Sequence, residues 1–156
     1  MKTITLAFAS ILILMVCAPL FAQSQTDEIE LTRDVIQAER KAIVAANMEL
    51  SESESKLFWP VYNEYVAALR KINDRNVKLI TSFAAAYENL TDSQATAFLN
   101  ESMDIDMEYV KLKQTWVPKF GKVMSPKMVA RFFQTENKLD AIIDYELAAE
   151  IPLVRK

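Results

Sequence analysis

One glycine, Gly121, stands in a chain of 156 residues. That scarcity constrains the fold before anything else is read. Tight hairpins, phosphate-cradling loops and oxyanion turns use glycine where the backbone takes positive φ or approaches a ligand closely. A chain with one glycine and few β-branched runs has little material for a sheet. Its apolar residues recur instead at helical spacing, so the expected fold class is all-α. There is also no histidine, which removes the commonest general base and the commonest metal ligand. No catalytic residue and no cofactor is assigned, and the chain is expected not to be an enzyme.

The first residues read as a secretory leader. Lys2 supplies the positive charge, Ile4 to Val16 an apolar run, and Leu20-Phe21-Ala22 a small residue before polar Gln23-Ser24-Gln25. The run is short of the roughly 20 residues of a membrane span, which argues against an uncleaved anchor. Residues 1–22 are therefore expected to be a cleaved signal peptide, residues 23–156 one helical domain, and the destination the periplasm. Lipid attachment at Cys17 is disfavoured, because Val16 stands where a small residue is wanted. Cys17 is the one cysteine and would leave with the leader, so no disulfide is available to the exported chain. Loss of Lys2 as well leaves 17 basic against 21 acidic residues, a net charge of −4. That balance gives no reason to expect nucleic acid as a partner, and no membrane span is expected after cleavage.

Four amphipathic helices are expected, two of them long. The first covers about 27–47, with Leu31, Val35, Ala38, Ala42 and Ala45 on one face. The second starts near Ser51, whose spacing to Glu54 is that of a capping box. Its stripe is Leu57, Val61, Tyr65, Leu69, Ile72, Leu79, Ile80, Phe83 and Tyr87, ending before Leu90. At about 35 residues it would reach roughly 50 Å. Pro60 lies inside it and predicts either a bend beside Phe58-Trp59 or a helix that begins at Pro60. The third helix carries Ala95, Phe98, Leu99, Ile105, Tyr109, Leu112 and Trp116, with Pro118 expected to end or bend it. The fourth starts at Ser125-Pro126, a cap followed by proline at its preferred position, and carries Val129, Phe132, Phe133, Leu139, Ile142, Ile143 and Leu147 up to Pro152. Leu50-Ser51, Leu90-Thr91 and Met124-Ser125 echo one another as apolar residue plus hydroxyl cap, a pattern that good helix starts share and that a repeated helical unit would also produce.

Leu90-Thr91-Asp92-Ser93-Gln94 opens the third helix. Thr91 can cap the first turn and Gln94 can reach back to the Thr91 amide. Leu-Thr-x-x-Gln also resembles the signature of the Spy/CpxP family of exported helical proteins. Leu50-Ser51-Glu52-Ser53-Glu54 is a degenerate second copy that keeps the chemistry and loses the threonine and glutamine. The stretches Phe58 to Tyr65 and Arg131 to Asp140 are similar to segments of uncharacterised exported bacterial proteins. The family resemblance implies an elongated or curved helical hairpin arrangement, an antiparallel homodimer, and an ATP-independent holding role toward unfolded or partly folded proteins under envelope stress. A regulator docking on the periplasmic domain of a sensor kinase is the alternative it implies.

The candidate client-binding residues are Phe58, Trp59, Tyr62, Tyr65, Arg70, Lys71 and Arg75. Aromatic rings give large contact area at low entropy cost, and basic neighbours suit acidic or amphipathic clients. The same rings equally suit a core around Pro60, and the same charges, with Lys78, an ordinary solvated face. Lys111, Lys113, Lys119, Lys122, Lys127 and Arg131 form a second basic stretch. Glu136, Asp140 and Asp144 share one helical face and would repel unless paired. A di-iron site lacks its Glu-x-x-His pair, so pairing with bases of a neighbouring helix is expected. Met103 and Met107, one turn apart, could hold soft copper, but flexible core filling is the commoner use. A metal sensor or buffer is a third reading, which the missing histidines argue against; a carboxylate enzyme is a fourth and lacks any motif, and no metal site is assigned.

Overall fold

The computed structural model describes residues 37–155. The leader residues, Cys17, Leu31 and Val35 lie outside them. The chain divides into two units, Met1–Ile43 and Val44–Lys156. Residues 37–48 are helical (α1) and are followed by α2 (Glu52–Ala86), a 3-10 turn (Tyr87–Asn89), α3 (Asp92–Phe120) and α4 (Pro126–Glu150). The described residues are all-helical, without a strand. Among them no helix is long and apolar enough to cross a membrane.

The helix starts follow local side-chain chemistry. Ser51 Oγ accepts from the Glu54 amide at 3.3 Å while the Glu54 carboxylate accepts from the Ser51 amide at 2.9 Å. Thr91 and Gln94 repeat this reciprocal box at 3.3 and 3.0 Å. Each box satisfies donors that the first helical turn leaves unpaired. Ser125 caps α4 through the Met128 amide, with Pro126 at the first helical position.

Neither Pro60 nor Pro118 starts or stops a helix at its own position. α2 begins at Glu52 and continues through Pro60, so it does not start at the proline. α3 likewise runs past Pro118 to Phe120. Pro118 sits in the last turn, where the missing N–H costs one bond near an end that is about to stop anyway. Gly121 then accepts the chain with ordinary right-handed torsions, φ −61°. The positive φ among the described residues falls instead on Glu49, at 49°. Its carboxylate pairs with Arg131 at 3.0 Å, and Arg131 also donates to the Asn47 carbonyl. That clamp of α4 on the α1–α2 loop holds a conformation that a non-glycine residue takes only at a cost.

Within the second unit, α2 and α3 meet in opposite order. Phe58 contacts Phe120, Tyr65 contacts Trp116, and Phe83 contacts Phe98. α4 returns beside them, with Phe132 against Phe58 and Lys113 of α3 bonded to Asp140 of α4. The core is Val44, Met48, Phe58, Tyr62, Tyr65, Leu69, Trp116, Phe120, Val129 and Phe132.

Several assignments to the apolar faces are corrected by this core. Ala38, Ala42 and Ala45 are exposed, and α1 buries positions 40, 44 and 48 instead. Leu57, Leu99 and Ile142 are more than half exposed. In each case the apolar arc is wider than the side of the helix that a neighbour covers. At Leu57 the larger neighbouring ring, Phe58, takes the covered place.

Candidate functional site

Phe58, Tyr62 and Tyr65 are almost completely buried, and Trp59 is half-buried. They pack edge-on and tilted against Phe120, Phe132 and Phe133, with Phe120 and Phe132 centroids 4.4 Å apart. This is the aromatic core, and three of its four α2 rings offer no surface to a client. Arg70 and Lys71 lie exposed on the other side of α2. Arg75 is drawn inward: its guanidinium meets Glu101 at 2.8 Å and Glu108 at 2.5 Å. The Glu101 hydrogen bond, then that of Glu108, holds Arg75 above its ordinary pKa. The structure thus does not bring the seven candidate residues together as one exposed patch. Leu90, Thr91, Gln94, Ser51 and Glu54 are helix-start residues, with the two boxes formed as described.

The carboxylate row on α4 is split among three environments. Glu136 is fully buried. Asp140 accepts from Lys113 Nζ at 2.8 Å, and Lys113 also donates to Asn137 at 2.8 Å. Asp144 is held above the usual carboxylate range, first by partial desolvation, then by the neighbouring charges of Asp140 and Asp106, with Lys113 acting the other way. Among the described residues no group of three or more Cys, Asp or Glu side chains is placed to hold a metal. Met103 and Met107 are 53% and 61% exposed, so they are not core fillers.

These methionines belong to a feature that the sequence reading divided between a core face and a metal pair. Leu99, Met103, Met107, Val110 and Val117 are all large, apolar and about half exposed. At 100° per residue they fall within an arc of about 80°, centred roughly 130° from the buried Ile105, Trp116 and Phe120. α3 therefore has two apolar faces. One joins the core; the other forms a stripe facing solvent, interrupted only by Gln114. The spacing of four, four, three and seven residues was the available signal, and it marks an apolar face without saying whether a neighbour covers it. At its C-terminal end Val117 adjoins a shallow apolar notch lined by Pro118, Gly121, Pro126, Val129, Ala130 and Phe133.

No protein-family model matches the chain, and no curated protein or solved structure matches it either.

Proposed function

We propose that this chain is an exported binding protein that holds apolar segments of unfolded or partly folded proteins without ATP, as the Spy/CpxP resemblance implies. Export to the periplasm belongs to the same proposal and rests on the leader residues 1–22. One observation carries it: the exposed apolar stripe of α3, Leu99 to Val117, with two adaptable methionines near its middle. A contiguous exposed apolar surface marks a docking site more often than chance, and methionine fits irregular apolar partners without demanding one shape. Exposed Lys111 lies beside the stripe and supplies the basic character first sought on α2. Holding needs no catalytic group, only reversible burial of this face.

The test is suppression of aggregation of a chemically unfolded client. The expected result is suppression near one chain per client, largely lost in Met107→Lys and Val110→Lys, whose exposed positions leave the fold intact by circular dichroism. No suppression at large molar excess would remove the holding role. Tight binding to one sensor domain with generic clients ignored would replace it by the regulatory role.

A further inference from the structure

We infer that Met103 and Met107 are an oxidative modification site: a peroxide converts both to sulfoxides and so switches off the α3 stripe. The site itself rests on exposure and chemistry; the loss of holding rests on the role proposed above. The described residues contain no cysteine and no histidine. Thioethers are therefore the soft, readily oxidised side chains that this part of the chain offers. Five methionines lie there, in three environments. Met48 is 1% exposed inside the core. Met124 and Met128 are half-buried against it. Met103 and Met107 each present more than half of their surface to solvent. An oxidant must reach a sulfur lone pair, so susceptibility follows exposure. The two tryptophans are more enclosed, Trp116 buried and Trp59 half-buried.

The reaction is an oxygen transfer from a peroxide. A sulfur lone pair attacks one peroxide oxygen, and the S–O bond forms as the O–O bond breaks. The departing hydroxide takes up the remaining proton and leaves as water. Sulfur loses the electron pair that the peroxide gains. A dithiol reverses the step through a sulfoxide reductase: the sulfoxide returns to the thioether, the dithiol becomes a disulfide, and the oxygen leaves as water.

Placement turns this chemistry into a switch. Met103 and Met107 are neighbours one turn apart on the helix surface, between Leu99 and Val110 of the stripe. Leu99, Val110 and Val117 are hydrocarbon and resist the oxidant, so the change is confined to the middle. Sulfoxides there cut the stripe into Leu99 on one side and Val110 with Val117 on the other. A client covering the face would have to strip water from two strong acceptors without replacing their hydrogen bonds, which opposes burial. The core side of α3 carries Ile105, Trp116 and Phe120, and neither methionine belongs to the core cluster. Oxidation at these two positions therefore leaves the fold standing.

Timed treatment of the purified protein with hydrogen peroxide, read by peptide mass spectrometry and by the aggregation assay, tests both clauses. Met103 and Met107 should each gain one oxygen about tenfold faster than Met48, with circular dichroism unchanged. Wild type should then lose most of its suppression and regain it after methionine sulfoxide reductases and dithiothreitol. Met103→Leu/Met107→Leu keeps the face apolar and should suppress equally before and after peroxide. Met103→Gln/Met107→Gln should suppress poorly with no oxidant added. Oxidation of Met103 and Met107 no faster than that of Met48 would overturn the site. If the leucine variant loses suppression under peroxide as wild type does, oxidation elsewhere is responsible and the switch is overturned. Equal suppression by oxidised and untreated wild type overturns it as well. An untreated wild type that suppresses nothing sinks the holding role and the switch together, and the peptide masses then decide the modification site alone.

Discussion

The two ends of the α2–α3–α4 unit are held by different forces. Where α2 begins, Phe58, Tyr62, Tyr65, Phe120 and Phe132 interlock with at most 1% of their surfaces exposed. Beyond Ile72 and Ile105 the picture changes: none of residues 73–104 and none of 137–155 is buried. That far end relies on half-exposed rings, with Phe83 touching Tyr87 and Phe98, and on polar ties. Arg75 spans Glu101 and Glu108, Tyr109 donates to Asn73, Tyr87 donates to the Leu153 carbonyl, and Arg155 pairs with Glu88 over the Tyr87 ring. Apolar burial is the dominant stabilising term in folding, whereas exposed ion pairs contribute little. The contrast teaches that length of helix and strength of attachment are separate properties here. α2 is continuous from end to end, but only its first half is anchored by a core.

The largest effect should therefore come from the aromatic end. Phe132→Ala should cost about 3–5 kcal/mol of unfolding free energy in a denaturant titration, because it leaves a cavity among Phe58, Tyr62, Tyr65 and Phe120. Phe83→Ala removes a half-buried ring of the same size and should cost about 1–2 kcal/mol, since water already reaches part of it. Equal costs would erase the distinction between the two ends. Amide exchange sharpens it: amides of residues 76–86 and 140–150 should exchange well before those of 58–72, as expected where few apolar contacts resist local opening.

How much of this was legible in the sequence depends on the range of the interaction. The starts of α2, α3 and α4 could be read from Ser51, Thr91 and Ser125, because a cap is decided within four residues. The all-α class followed from periodicity and a single glycine for the same reason. Choosing which side of a helix faces the core was less successful. Leu57 and Phe58 are neighbours of similar hydrophobicity, and only the positions of Phe120 and Phe132 decide that Phe58 is enclosed and Leu57 is not. The candidate site failed likewise. The ring cluster at Phe58 to Tyr65 has the composition of a binding patch, and burial by two other helices makes it a core. Leu99 to Val117 has the composition of a core face, and among the described residues no further helix covers it, which makes it a surface.

A smaller effect probes the far end through its start signal. Thr91→Ala breaks the box with Gln94 and should cost about 1 kcal/mol. Thr91→Asn should recover most of it. Because the turn at Tyr87–Asn89 leads into this cap, the loss should appear as faster exchange around 87–98, with little change at Phe58 to Leu69. Uniform acceleration would mean that the two ends open together, and the comparison would fail.

The smallest effect is in pH, and it carries opposite signs at the two ends. Asp144, in the distal half of α4, is held above the ordinary carboxylate range by desolvation and by Asp140 and Asp106. Its native form takes up a proton at a pH where the unfolded chain has not yet done so, so this group makes the fold more stable as pH falls toward the carboxylate range. Glu54, at the start of α2, is held below that range by the Ser51 hydroxyl and then the Ser51 amide. Its contribution is present above the ordinary glutamate value and is lost as pH falls through the native one. Asp144→Asn should therefore make acid more destabilising than it is for wild type, and Glu54→Gln less so. The measurement is the denaturation midpoint from neutral pH down through the carboxylate range. Two variants that shift the profile in the same direction would show that the charges at the two ends answer to one environment, contrary to the contrast drawn from burial.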